Sequence, residues 1–177
     1  MVLREEDKRL CLDESISTEG DPAAWGKAVA LTLLEVAADG GRNFALVHFS
    51  NRGRCQTDMF RPGAYTMDDK MRAAETFLGG GTNFETPMWE SLRLMRDEGF
   101  ENADIVFISD GECEMPDDFL SELMREQAER RFTITGVLLD SDCPGMDFSL
   151  KEFCQNICRT SELAGEDIVR KLVSART

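Results

Sequence analysis

Apolar residues recur along the chain with two periods, and the period switches repeatedly. In residues 21–39, DPAAWGKAVALTLLEVAAD, Trp25, Val29, Leu33 and Val36 return every three or four positions, the spacing of one helix face. Asp21 is placed to cap this helix and Pro22 to occupy its first position, and Gly40 and Gly41 end it. Residues 43–50, NFALVHFS, are apolar on both parities, as a strand covered on both faces requires. The same reading gives strands at 9–12 (RLCL), 103–109 (ADIVFIS) and 132–139 (FTITGVLL), with a more polar edge strand at 54–62. Further helices are expected at 66–78, stopped by Gly79, Gly80 and Gly81, and at 85–99, 116–131, 147–157 and 165–175.

Strands alternating with helices predict an α/β domain, doubly wound, with a mainly parallel sheet and helices on both faces. No internal repeat or low-complexity linker interrupts the pattern, so residues 1–177 read as a single domain. The apolar runs stop well short of the ~18 residues of a membrane span, and MVLREEDKRL has no signal-peptide core. The first strand is expected to be short, because residues 4–9 are mostly charged and unpaired carboxylates are costly to bury.

Charge narrows the function classes. Lys and Arg total 20 against 34 Asp and Glu, a formal net charge of −14, which argues against binding nucleic acid or anionic membrane and suits cations or basic partners. The six cysteines form no C-x-x-C pair, so reduced thiols in the cytosol are expected. Cys154 and Cys158 would share a helix face, but zinc needs two further ligands and no nearby histidine supplies them.

The candidate chemistry lies at strand ends. LCLD ends in Asp13 and IVFISD in Asp110, while the loop GGGTNFETP places Thr82 just before a helix. Ligands of open parallel sheets bind beyond the carboxyl ends of the strands, and the first and fourth strands are neighbours at such a switch point. Asp13 and Asp110 would then lie side by side, with Ser15, Ser17 and Thr82 adding neutral oxygens. Two adjacent carboxylates repel unless a cation separates them, and an all-oxygen site suits Mg²⁺, Mn²⁺ or Ca²⁺. Taken singly, Ser17 or Thr18 could cap a turn, Asp110-Gly111 could be only a turn, and Thr82 could cap its helix. The convergence of three clusters favours the metal.

These residues resemble a known family. DESIS, the threonine of GGGTNFETP and the aspartate of ISDGE are similar to the metal-ion-dependent adhesion site (MIDAS) of von Willebrand factor A domains, and the order of elements matches over about residues 9–173. The resemblance implies a Rossmann-like fold and a divalent cation, usually Mg²⁺. Ser15, Ser17 and Thr82 would bind it directly, and Asp13 and Asp110 directly or through water. A partner's Asp or Glu would complete the coordination. Other stretches, PAAWGKAVALTLLEVA and CRTSEL among them, look closest to bacterial intracellular CoxE-like and ViaA-like members, which implies a cytoplasmic adaptor or regulatory partner of a MoxR-type AAA+ ATPase. The family usually has glycine between its two serines; here Ile16 stands there, so the turn must stay in ordinary backbone space or carry strain.

The enzymatic alternative is a Mg²⁺-dependent phosphatase or phosphotransferase of haloacid-dehalogenase-like type, with Asp13 as nucleophile, Thr82 on the phosphate and Asp110 on the metal. That pattern requires an acid two residues after the first, where Ser15 stands, and a lysine that the threonine loop lacks. GGGT lacks the Lys-Ser/Thr pair of a phosphate-binding loop. His48, the single histidine, sits inside an apolar strand and reads as structural. With no general base in view, a non-catalytic binding module is the expectation. Cys113, beside the proposed site, is expected to be a poor nucleophile in acidic surroundings.

Overall fold

The computed structural model describes residues 7–97, 100, 103–140, 147–161, 167 and 170–172. Six strands form one sheet: β1 (Lys8–Asp13), β2 (Phe44–Phe49), β3 (Cys55–Phe60), β4 (Asp104–Ser109), β5 (Ile134–Leu138) and β6 (Asn156–Arg159). Their order is β3-β2-β1-β4-β5-β6, and every neighbouring pair is parallel except the β2–β3 hairpin at one edge. The chain winds outward from β1 in both directions, so β1 and β4 flank the switch point of a doubly wound, Rossmann-like sheet.

Strand parity sorts the core into two layers. Leu10, Leu12, Phe44, Leu46, Val106 and Ile108 face α1 (Asp21–Asp39) and α2 (Met67–Glu75). Cys11, Val47, Phe49, Ile105 and Phe107 face α3 (Glu85–Asp97), α4 (Asp117–Arg130) and the single-turn α5 (Phe148–Lys151). Each fully buried Leu or Phe contributes on the order of 1.5–3 kcal/mol by leaving water. Phe49, Phe84, Phe107 and Phe153 form a continuous aromatic group with centroids 4.9–6.2 Å apart, which seats the chain entering α3.

Several expectations need correction. α1 starts at Asp21 with Gly20 as its N-cap, so Asp21 is no cap; its charge favours the first turn instead. Val36 is 37% exposed, and the buried stripe runs through Lys27, Ala30, Leu34 and Ala37 with Val29 and Leu33. α2 ends at Glu75, ahead of the glycines, because Thr76 is already extended; its start is fixed by a Thr66–Asp69 capping box. The helix expected at 147–157 is one turn followed by the edge strand β6, so Cys154 and Cys158 share no helix face and the zinc pairing loses its geometric basis. Cys11, Cys55, Cys113 and Cys154 are free thiols, Cys158 is buried in β6, and Cys143 lies outside the described residues. Of the helix expected at 165–175, only 167 and 170–172 are described; they are helical, and Leu172 is buried against the α1 layer.

β1 begins at Lys8, as the charge pattern requires, yet besides Asp13 at its end it takes a cation fully inside. Arg9 is 0% exposed, donating from Nη1 to Ser91 O (2.6 Å) and from Nη2 to Ala103 O, with its guanidinium 5.7 Å from the Phe132 ring centroid. Burial pushes its pKa down to about 9, which still leaves it charged at neutral pH. Carbonyl oxygens and a ring face thus replace water around a buried cation.

Candidate metal centre

Asp13 is the last residue of β1, and a 3₁₀ turn, Ile16–Thr18, follows at once. The turn is closed from within. Ser15 N–H donates to Asp13 Oδ1 (2.9 Å), Thr18 N–H to Ser15 O (3.0 Å), and Thr18 Oγ1 to Ser15 O (2.8 Å). Thr18 is buried and braces the turn, while Ser17 stays exposed. Arg131 is the single non-glycine residue with positive φ among the described residues, so Ile16 carries no left-handed strain. Its side chain is 60% exposed on the rim of the site.

The two serines and two aspartates expected here do meet. Ser15 Oγ lies 3.0 Å from Ser17 Oγ, and Ser17 Oγ donates to Asp110 Oδ1 at 3.1 Å. Ser109, the last residue of β4, donates from Oγ to Asp13 Oδ2 at 2.6 Å and accepts from Gly111 N–H at 3.2 Å. The sequence reading missed Ser109. Its signal was present: it is the polar residue that ends an otherwise apolar strand, directly before Asp110.

Thr82 is brought alongside by its loop. Gly79 N–H donates to Glu14 O and Ile16 N–H to Gly80 O, both at 2.8 Å, while Asn83 N–H donates to Ser50 O at 2.8 Å. Gly79 and Gly80 have φ of +64° and +92°, and a Cβ on Gly80 would clash with Asn51 Oδ1, which accepts from Gly81 N–H at 2.5 Å. The glycines therefore let the Thr82 loop press against the Asp13 loop, a role that ending a helix does not explain. Cys113 Sγ is 3.7 Å from Thr82 O, and burial first, then the charge of Asp13, pushes its thiol pKa up, consistent with low reactivity.

Charge compensation sets Asp13 apart. Four carboxylates are buried among the described residues: Asp13, Glu14, Asp104 and Glu126. Glu14 pairs with Lys27 and His48, Asp104 with Lys8, and Glu126 with Arg96 and Arg130. Asp13 is 0% exposed and, among the described residues, forms no ion pair; its partners are an amide and hydroxyls. Burial chiefly, with the charge of Asp110 added, raises its pKa, and burial raises that of Asp110. A hard cation held by oxygens alone would supply the missing charge, and the donor set of Asp13, Ser15, Ser17, Asp110 and the neighbouring Thr82 fits one. Among the described residues no group of three or more His, Cys, Asp or Glu side chains forms a metal cluster, so this site offers two carboxylates and otherwise hydroxyl oxygens.

His48 is buried as expected, but in a charged setting that sequence reading did not supply. Its Nδ1 lies 2.6 Å from Glu14 Oε1 and its Nε2 2.8 Å from Asp58 Oδ2. Lys27, also missed, is hydrogen-bonded to Glu14 and donates to Ala73 O (3.0 Å) and Thr76 O (2.5 Å).

No family profile matches the chain. It is 31% identical over 159 residues to the uncharacterized protein MJ0811 of Methanocaldococcus jannaschii, covering 89% of this chain and 35% of that protein. MJ0077 of the same archaeon is 33% identical over 132 residues, covering 75% and 32%. The chain thus spans about a third of the length of these curated relatives. Among solved structures it is similar to a von Willebrand factor type A protein from Catenulispora acidiphila (TM-score 0.68, 15% identical, covering 96% of this chain and 42% of that one). The vWF domain of the type V pili tip protein Mfa5 from Porphyromonas gingivalis superposes with TM-score 0.68 at 12% identity, covering 94% of each chain. Proximal thread matrix protein 1 from the mussel byssus, with a zinc-occupied MIDAS motif, superposes with TM-score 0.62 at 16% identity over 94% of this chain and 46% of that one. Sheet order, element succession and these likenesses together show that the chain has the von Willebrand factor A fold.

Proposed function

We propose that this domain is a non-catalytic, metal-dependent protein-binding module. Asp13, Ser15, Ser17, Thr82 and Asp110 hold one divalent ion at the carboxyl edge of the sheet. The carrying observation is Asp13: fully buried, without an ion pair among the described residues, and linked through the Ser15 amide and the Ser15–Ser17–Asp110 chain to three of the other proposed ligands, with the Thr82 loop packed alongside. The zinc-occupied MIDAS motif of the mussel protein, on the same fold, supports the reading. An oxygen-only donor set favours Mg²⁺, with Mn²⁺ and Ca²⁺ as alternatives.

When bound, such an ion supplies a site of positive charge with an open coordination position. Three uncharged ligands, Ser15, Ser17 and Thr82, leave much of that charge for an incoming Asp or Glu of the partner. Ile16, exposed on the rim, offers apolar contact beside it. The net charge of −14 disfavours a partner that is acidic elsewhere. Among proteins that place an acidic side chain on such a site, a MoxR-type AAA+ ATPase in the cytoplasm is the candidate that the resemblance to CoxE-like and ViaA-like proteins suggests. The binding role is favoured over phosphoryl transfer because Ser15 stands where the phosphatase pattern needs a second acid and the sole imidazole, His48, is held between Glu14 and Asp58.

The test is calorimetry with Mg²⁺ and Mn²⁺ at ~0.15 M salt, where diffuse attraction to the acidic surface is screened beyond a Debye length. Wild type should bind one ion, and Asp13→Ala and Asp110→Ala should bind it far more weakly. A pull-down with and without EDTA, repeated with Thr82→Ala, then tests recognition. Equal binding by all three proteins, or partners retained in every condition, refutes the reading. Metal-dependent hydrolysis of a generic phosphoester, lost in Asp13→Asn, would replace it with the phosphatase.

A further inference from the structure

Residue 14 lies between two proposed ligands, and alternation along β1 sends its side chain to the opposite layer from Asp13. The register Asp13↔Phe49 carries the Glu14 side chain to the α1 face of the sheet, beside His48 on β2. There Glu14 is 0% exposed and meets Lys27 of α1 and His48; His48 in turn meets Asp58 of the edge strand β3. Lys27 also holds two carbonyls at the end of α2, Ala73 O and Thr76 O. Lys27 Nζ also lies 3.3 Å from His48 Nδ1, so lysine, histidine and Glu14 Oε1 meet at one point. Two acids, a lysine and a histidine thus close one hydrogen-bonded group that runs from α1 to the edge strand.

The backbone of the same residue ties the two ligand loops together. Glu14 N–H donates to Phe49 O at 2.8 Å, and Glu14 O accepts from Gly79 N–H at 2.8 Å, three residues before Thr82. Glu14 is therefore fixed at three points: to the end of β2, to the Thr82 loop, and through its carboxylate to α1 and β2. Glu14 Oε2 and Ser50 Oγ are both buried without a hydrogen-bond partner, so the side chain is held through Oε1 alone.

We infer that Lys27, His48 and Asp58 are positioning residues for the proposed metal centre: acting through Glu14, they fix the Asp13–Ser17 turn and the Thr82 loop in the arrangement that receives the ion and its acidic partner. The inference rests on the metal-binding reading above and deepens it. It also gives the edge of the sheet an influence on the site, since Asp58 is the surface-facing end of the chain Asp58–His48–Glu14, with 18% of its side chain exposed. Outer partners bonded directly to metal ligands typically change metal affinity 10–100-fold when removed, and this group acts one residue further out, which sets the expected effect at the lower end, about tenfold.

The experiment uses Mn²⁺ calorimetry and amide hydrogen exchange of residues 14–18 on four proteins: wild type, Asp58→Asn, Lys27→Met, and the double variant Lys27→Met/Glu14→Gln. Lys27→Met alone strands a buried carboxylate and is the variant at risk of misfolding; the double variant removes both charges and keeps the core neutral. Asp58→Asn and the double variant should stay folded by circular dichroism, bind Mn²⁺ about tenfold more weakly, and exchange the amides of Ser15, Ile16 and Thr18 faster. If the group only neutralises buried charge, the double variant binds Mn²⁺ as wild type does and its turn stays protected; that result overturns the inference. If wild type binds no Mn²⁺, the metal reading falls, and hydrogen exchange alone decides: faster exchange in the folded variants sustains the positioning role, and unchanged exchange ends it.

Discussion

Gly80→Ala separates the conformational cost of the Thr82 loop from its packing cost. Gly80 and Gly20 have nearly the same φ, +92° and +93°, but different surroundings. A Cβ on Gly20 would meet nothing within 4 Å, whereas one on Gly80 would overlap Asn51 Oδ1. Both substitutions incur the cost of a side chain at positive φ, about 1–3 kcal/mol. In Gly80→Ala the Asn51 side chain must also swing away and give up its hydrogen bond from Gly81 N–H, a further loss of about 1 kcal/mol. Urea denaturation should therefore show Gly80→Ala destabilised by its positive-φ cost and by about 1 kcal/mol more for the lost hydrogen bond. In an Asn51→Ala background that hydrogen bond is already gone, so the cost of Gly80→Ala should fall by about the same amount, a coupling that a double-mutant cycle reads directly. Additivity between Asn51 and Gly80 would refute the argument that close loop approach, and not merely positive φ, requires glycine there.

Two further outcomes follow from the titrating groups. The raised pKa values of Asp13 and Asp110 mean that their ionised forms cost stability in metal-free protein, a cost absent below the ordinary carboxylate range and fully present once pH has risen through the shifted values. Metal-free Asp13→Asn should then be more stable than wild type at about pH 7, with the difference shrinking towards about pH 3, and saturating metal should reverse the order by stabilising wild type by about 2.7 kcal/mol at 100 times its Kd. His48 behaves with the opposite benefit: burial alone would lower its pKa, but hydrogen bonds to Asp58 and Glu14 raise it above 6.5, so the stability it contributes is complete below that value and is lost as pH rises through the shifted one. As the single histidine, it gives one imidazole signal by NMR, which should titrate above 6.5 in wild type and lower in Asp58→Asn.

The fold was legible where burial on two faces imposes long apolar runs. β2 and β4 are buried at every position, and each was evident as a strand from its composition. The reading failed at β6, whose Asn156–Arg159 segment is four residues long, has one buried residue and takes its strand geometry from pairing with β5. Propensity cannot announce such a strand; the neighbouring edge imposes it. The expected end of α2 missed for a related reason. Thr76, Phe77 and Leu78 have acceptable helix propensity, but Lys27 of another helix binds the Ala73 and Thr76 carbonyls and the chain turns away.

The site divides along the same line. Asp13, Ser15, Ser17, Thr82 and Asp110 were legible because strand ends of a parallel sheet gather at one edge whatever the side chains do next. Glu14, Lys27 and Arg9 were not, since a charge inside a periodic segment ordinarily lies on the solvated side. Lys27 did carry a signal. With Ala30, Leu34 and Ala37 it stands at intervals of three, four and three, on the stripe that packs against the sheet. A lysine on that stripe requires a buried acid, and Glu14, adjoining Asp13, is the acid it finds. Its ammonium is spent on Glu14 and two carbonyls, so it does not neutralise Asp13 one residue away. The fold thus places lysine, histidine and arginine against its other buried carboxylates and leaves Asp13 to hydroxyls and an amide. In a chain of net charge −14, most acids attract cations only diffusely, through solvent. Asp13 differs because it is fully buried and, among the described residues, without an ion pair, so a cation bound there as proposed would gain an interaction that bulk water screens little.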